Sequence, residues 1–266
     1  MKKLWIAALA LLLAGCSAQQ PPVETEPTAP PEKTVFVHSS ITRTVGETSS
    51  RTEYLYDEQE LLTDVVIYDG AEQEIQRYLV TCDENGNPVR WDTAGDAAIS
   101  YTYDDKGRTL GTYTYNADTL VSSTEYNWSG ELRVSVTVKT PAREQRTEYS
   151  YDDKGSLTRQ DLYLDGQPGG WGLYTAGEDG KTALCESFDP EGNLFNRVSY
   201  LYEGSQETRT TTDADGTVTQ TQILTYDESG NLLTNQVYDA SGSLTSSETH
   251  VWKEIRVPAE QPRAVI

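Results

Sequence analysis

Histidine occurs twice in the 266 residues, at His38 and His250, methionine once, and cysteine three times. Two histidines so far apart in sequence are not spaced as metal ligands, and each reads as a strand surface residue. Three cysteines are too few for a disulfide-stapled scaffold. The only sustained apolar run, Leu4 to Ala14, has eleven residues and is too short to span a bilayer as a helix. No Gly-x-Ser-x-Gly elbow and no phosphate loop occurs. Bases are also scarce: 21 Lys and Arg stand against 42 Asp and Glu, a net charge of −21. That balance excludes a basic groove for nucleic acid. It also repels anionic lipid, so attachment to a membrane would fall to an acyl group. The bland role of the acidity is to keep an edge-rich β protein soluble. The functional one is affinity for divalent cations or basic partners.

What is abundant is tyrosine, 17 against 3 Phe and 5 Trp, and glycine, 20. They recur in a fixed frame. Tyr226-Asp227-Glu228-Ser229-Gly230-Asn231-Leu232 returns twelve residues later as Tyr238-Asp239-Ala240-Ser241-Gly242-Ser243-Leu244. Nine positions fit (Asp/Asn)-x-x-Gly: Asp83 with Gly86, Asp92 with Gly95, Asp104 with Gly107, Asn127 with Gly130, Asp152 with Gly155, Asp189 with Gly192, Asp213 with Gly216, Asp227 with Gly230 and Asp239 with Gly242. The Asp carboxylate can accept from a backbone N–H two residues on, and the Gly can take the left-handed conformation that closes a bulged turn. Tyr56-Asp57 is a degenerate copy with Glu60 in the glycine place. Asp69-Gly70, Asp165-Gly166 and Glu203-Gly204 suit two-residue type I′ hairpins. Asp213-Ala214-Asp215-Gly216 has the look of a calcium loop but lacks ligands at its first and twelfth positions, so turn chemistry accounts for it.

Between turns, Thr, Val, Tyr and Leu mark strands. Leu and the next Tyr often lie six apart, as in Leu62 and Tyr68, Leu120 and Tyr126, Leu157 and Tyr163, Leu194 and Tyr200, and Leu232 and Tyr238. Six is even, which places both on one face of a regular strand. Mean hydropathy is −0.60, low for a densely packed globule. The expected fold is all-β: an antiparallel meander of repeated hairpins forming an elongated, curved sheet over residues 34–257, with function sought where the repeat lapses. That lapse, Gly166 to Lys181, reads as an irregular loop in which Trp171, with Tyr174 nearby, is a possible ligand contact. The competing reading is a loop pinned by one buried Trp. Cys82 fills the aromatic place before its turn and Cys185 lies three residues before Phe188, so regular strands would point the two thiols opposite ways and leave them unpaired.

Met1-Lys2-Lys3 and the apolar run make a signal peptide over 1–15. Its end, Leu13-Ala14-Gly15-Cys16, resembles the lipobox of bacterial lipoproteins. That resemblance implies cleavage before Cys16, acylation of its sulfur, and a place on the extracytoplasmic face of a bacterial cell membrane. The alternative is a plain secretory signal cut near Ala18. Residues 16–33, rich in Pro, Glu and Thr, read as a disordered tether reaching roughly 50 Å at about 3.1 Å per residue. Residues 258–266 read as a disordered tail.

The Tyr-Asp-x-x-Gly-(Asn/Ser)-Leu units resemble the YD repeats of the RHS (rearrangement hotspot) and teneurin-like families, most clearly at Tyr226 to Leu232, Tyr238 to Leu244, Phe188 to Leu194 and Tyr151 to Leu157. The resemblance implies a continuous hairpin sheet, in that family spiralled into a large hollow shell. This chain is too short for such a shell and lacks the family's C-terminal autoproteolytic core, so toxin encapsulation is not implied. What remains is a lipid-anchored binding or scaffold module for envelope polysaccharide or a surface protein. The alternative is an enzyme, or an enzyme accessory, acting on envelope glycan. No catalytic residue, metal site or cofactor is singled out.

Overall fold

The computed structural model describes residues 31–263. The signal peptide, Cys16 and almost all of the tether lie outside the described residues. Eighteen antiparallel strands run in chain order, from β1 (Glu32–Val45) and β2 (Thr48–Tyr56) to β17 (Leu232–Asp239) and β18 (Leu244–Pro258). Every strand pairs with its neighbours in sequence.

The sheet is not open. β1 pairs with β2 on one side and with β18 on the other, in register from Glu32↔Pro258 to Val45↔Ser246. The expected elongated meander is therefore corrected to a closed barrel. Closure satisfies the backbone donors and acceptors that two free edges would have left unpaired. It rests on the two longest strands, of 14 and 15 residues.

Turn chemistry builds the wall. In the turn after β16 (Val218–Tyr226), the Asp227 carboxylate accepts from Asn231 N at 2.7 Å and Gly230 N donates to Asp227 O at 3.0 Å, with Gly230 at φ +82°. The same pattern holds at the turns of Asp104, Asp152, Asp189 and Asp239. Their glycines are left-handed too: Gly107 at φ +75°, Gly155 at +78°, Gly192 at +90° and Gly242 at +81°. Their surroundings differ, which the repeat alone does not announce. A Cβ added at Gly107 would stand 2.7 Å from Pro262 O, whereas at Gly155 and Gly192 it would make ordinary contacts with Leu132 at 3.8 Å and Trp171 at 3.5 Å. At Gly107 the backbone of Pro262 also needs the space.

Glu60 and Glu72 take the glycine place without being glycine, at φ 60° and 58°. The Asp69-Gly70 pair is thus part of a longer Asp-x-x-Glu turn. Asp165 and Gly166 form the two-residue turn with both φ positive, whereas the tight turn after Glu203 centres on Gly204-Ser205, with Gly204 at φ +58°. Asp92 and Asn127 make no such turn. Asp92 pairs with Arg90 at 2.8 Å, and Asn127 stays in its strand, bonded to Ser135 Oγ at 2.9 Å.

In most strands one extra residue resets the side-chain parity. Tyr226 pairs with Leu232, Thr225 pairs with Thr234, and Leu233 is left over as a β-bulge. The bulge turns the strand over, so Leu232 and Tyr238, six apart, face opposite sides. Equivalent bulges fall at Thr63, Val121, Thr158 and Phe195. The expected six-residue stripe along one face therefore does not exist. At several bulges a Thr hydroxyl donates to a carbonyl of the preceding strand, as from Thr63 to Leu55 O at 3.2 Å and from Thr245 to Val237 O at 3.0 Å.

Alternation then sorts the tyrosines. Tyr54, Tyr78 and Tyr101, each two strands from the next, pack on one cluster with Leu62, Val65 and Trp91, which marks their shared face as the concave one. Of the seventeen tyrosines, Tyr68, Tyr113, Tyr115, Tyr163 and Tyr238 face outward and the other twelve face inward. The outer ends of β1 and β18, Glu32 and Pro258, sit at one rim, here the terminal rim. There Tyr56, Cys82, Tyr103, Trp128 and Tyr151, at or beside strand ends, and Trp252 within β18 point inward, each donating to a carbonyl of the previous strand. At the opposite, distal rim the strand-end aromatics Tyr68, Tyr115, Phe188 and Tyr238 point out.

The apolar core is a sector of the interior. Leu62, Val65 and Trp91 pack with Tyr54, Tyr56, Tyr78 and Ile99 on β2 to β6 (Ala97–Tyr103). Beyond Trp252 and His38 the β1–β18 ribbon buries Val37, Ile255 and Val257 against Tyr56. Residues 258–263, expected to be disordered, are seated on the turns of the terminal rim: Arg263 donates to Glu60 O at 2.7 Å, Asn87 donates to Pro262 O at 2.9 Å, and Gln261 bonds Asn85 O.

Candidate functional site

The interior wall from β14 (Leu194–Glu203) through β15 (Gln206–Asp213) and β16–β18 to β1 is polar where the opposite sector is apolar. Register fixes it. Tyr202↔Glu207↔Leu224↔Asn235↔Glu248↔Arg43 form one transverse row of directly paired positions, and direct partners share a face. A second row runs Tyr200↔Arg209↔Gln222.

Hydrogen bonds link the rows. Arg209 donates to Glu207 Oε1 at 2.6 Å, and the Tyr226 hydroxyl donates to Glu207 Oε2 at 3.1 Å. Gln222 Nε2 donates to Asn235 Oδ1 at 2.8 Å, and Asn235 Nδ2 donates to Glu248 Oε2 at 3.3 Å. Arg43 pairs with Glu248 at 3.4 Å. Glu207 is 8% exposed, and a carboxylate so enclosed needs its partners. Burial and the Glu207 charge push the Tyr226 and Tyr202 hydroxyls up to about 12, so both stay protonated donors at neutral pH. Burial is the largest influence on Arg209 and works against its charge, but the Glu207 bond together with the Glu207 charge and the nearby Tyr200 and Tyr226 hydroxyls raises the group.

The two histidines complete the wall. Closure brings His38 and His250 together, with His38 Nε2 and His250 Nδ1 3.2 Å apart. His38 lies 3.8 Å from the Trp252 ring and 5.6 Å from Tyr54, centroid to centroid. His250 Nε2 stands 3.9 Å from Glu248. Burial lowers the His250 pKa, with Glu248 opposing the shift. The expectation of separate surface histidines is corrected by the β1–β18 seam, which no local pattern announces. Among the described residues no group of three or more His, Cys, Asp or Glu is placed to hold a metal ion.

Trp171 and Tyr174 are not brought together. Gln167–Ala176 is a regular strand, β12, with a bulge at Gly169 and Gly170 beside it at φ +117°, rather than an irregular loop. Trp171 lies on the outer face, stacked on Phe188 at 5.5 Å with Arg159 above it at 5.3 Å. Tyr174 points inward and donates to Gln160 Oε1 at 2.7 Å. Cys82 and Cys185 are free thiols, and both face inward. The opposite-face expectation assumed that Phe188 points the same way as the Cys82 place, but Phe188 belongs to the distal rim. Sequence reasoning missed Glu207, Arg209, Gln222, Asn235 and Glu248, which look like ordinary strand polar residues until register aligns them.

The outer wall bears on what surrounds the barrel. Ion pairs cross it at mid-strand: Arg77–Asp64, Arg146–Glu148, Arg159–Asp161 and Arg197–Glu186, at 2.6 to 2.9 Å. A barrel facing lipid needs an apolar band about 25 Å tall instead.

No family model matches the chain, and no curated protein matches it. Among solved structures, the Photorhabdus luminescens Tc holotoxin pore carrying a TccC3 mutation is 12% identical over 80% of this chain, with a TM-score of 0.37. A TcdB2–TccC3 complex is likewise 12% identical over 80%, at 0.37. The chain spans about 15% of the length of the first of these and 16% of the second. A porin-like protein from Bacteroides vulgatus is 9% identical, with 82% of this chain and 99% of that one covered and a TM-score of 0.38. Likenesses at this level assign no family.

Proposed function

We propose that this chain is a lipid-anchored, YD-repeat-like binding module of the bacterial cell surface, whose interior wall takes a segment of envelope polysaccharide. One observation carries the reading: carboxylate, guanidinium, amide and imidazole groups line the concave face of β14–β18 and β1 beside the rings of Tyr200, Tyr202, Tyr226 and Trp252. Sugars present hydroxyls that both donate and accept, and C–H faces that stack on aromatic rings, so this mixture suits them. A ring of eighteen strands is also too wide for side chains to fill, which leaves room for a ligand. Acylation at Cys16 would keep the module at the membrane, and a Cys16→Ala chain would then lose palmitate labelling.

The test is calorimetric titration of the purified chain with envelope polysaccharide. Gln222→Ala and Asn235→Ala are expected to weaken binding about tenfold, with thermal melts near wild type. Retention of a surface protein but no polysaccharide would overturn the reading. So would release of shortened glycan, which is turnover rather than binding.

A further inference from the structure

Among the described residues six arginines stand over aromatic rings, and five of them follow one rule. Arg51, Arg108, Arg146, Arg159 and Arg209 each also grip a carboxylate, at 2.5 to 2.7 Å. Arg133 departs from it. Its guanidinium lies between two rings, 5.9 Å from that of Tyr126 and 5.2 Å from that of Tyr149, yet no carboxylate reaches it among the described residues. Its Nε is buried without a hydrogen-bond partner, which is costly for a charged group. Register explains the position. β8 (Thr119–Ser129), β9 (Leu132–Thr140) and β10 (Arg143–Tyr151) are consecutive in the wall. Asn127 pairs with Ser135 but Trp128 pairs with Arg133, so Val134 is a bulge and Arg133 shares the inner face with Trp128. The Tyr151 hydroxyl donates to Arg133 O at 2.6 Å and pins that backbone. Elsewhere between the rims the inward carboxylates Glu207 and Glu248 are paired with Arg209 and Arg43. The charge of Arg133 is therefore not offset within the lumen, on a chain whose net charge is −21.

We infer, resting on the polysaccharide reading above, that the glycan is acidic and that Arg133 takes the carboxylate of a uronic acid sugar. That carboxylate completes at Arg133 the grouping of ring, arginine and acid that the other five arginines make within the chain. The guanidinium fork matches the two oxygens of a carboxylate. A uronate carries its charge on the sugar ring itself, so the C–H face stacks on a neighbouring tyrosine or Trp128 while the carboxylate meets Arg133. In a phosphodiester polymer the charge lies in the linkage between sugars, away from the stacking face. A neutral sugar leaves the enclosed guanidinium without a counter-charge.

The probe is polygalacturonate, titrated calorimetrically against the purified chain, with its fully methyl-esterified form as the neutral control and poly(glycerol phosphate) as the phosphodiester arm. Polygalacturonate is expected to bind at least tenfold more tightly than either. Arg133→Gln should abolish that preference and leave binding of the esterified polymer unchanged. Arg133→Lys keeps the charge but not the fork and should lose severalfold. Lys154→Gln, which removes an exposed lysine from a turn, should change nothing, and so separates a local site from bulk charge. Thermal melts near wild type check that all three variants fold. Equal binding of the acidic and esterified polymers, or an intact preference in Arg133→Gln, would overturn the inference and leave the polysaccharide reading standing. Tighter binding of poly(glycerol phosphate) would overturn the carboxylate assignment. If no polymer binds, both readings fall together.

Discussion

Gly230 and Gly242 hold φ of +82° and +81°, and a Cβ built on either meets nothing within 4 Å. Their requirement is therefore conformational rather than steric. Gly230→Val and Gly242→Val should each cost about 1–2 kcal/mol, read as a lowered Tm. Melts indistinguishable from wild type would remove the left-handed turn from the account. His250 makes a different demand. Burial lowers its pKa, so the fold favours the neutral ring. Its contribution is fully present above the ordinary value near 6.5 and is lost as pH falls through the lowered one. Tm should drop as the buffer goes from pH 7 to pH 5, and His250→Gln should flatten that drop. The turns were legible in sequence because Asp and Gly are chosen for their backbone chemistry. The histidine pair was not, because 212 residues separate its members and only ring closure joins them.

At the scale of the strand, the bulge was what the sequence concealed. Nothing distinguishes Leu233 from Leu232 as a residue type, and a bulge needs no glycine when its backbone stays extended. Yet that single extra residue decides which face each tyrosine occupies, and so decides that most of them face the interior. Strand existence and the turn frame could be read directly, while facing and register could not. The first and last strands are the sharpest test of closure. If β1 and β18 pair along their length, their mid-strand amides should exchange as slowly as those of β10 (Arg143–Tyr151) in a hydrogen-exchange measurement. In an open meander the outward-pointing half of the amides on both strands would exchange within the dead time.

For the whole molecule, the decisive contrast is between its two surfaces. The convex one is laced with ion pairs and the concave one holds most of the tyrosines, the reverse of what a lipid-facing pore presents. Added to a planar lipid bilayer, the purified chain should give no single-channel conductance, and stable conductance steps would contradict the outer wall described above. Composition foretold a protein with little core, and that much of the overall design could be read in advance. Whether the sheet would close could not, because the residues of β1 and β18 follow the same pattern as any interior strand.

The pairing of Glu32 with Pro258 has one more consequence. A ring of hairpins whose two ends meet side by side at one rim has no first strand in any physical sense. A short linker joining those ends, with the chain reopened at any exposed turn, would leave every ladder and every bulge in place. The order in which the strands are synthesised is a property of the gene alone, and the finished ring keeps no trace of it.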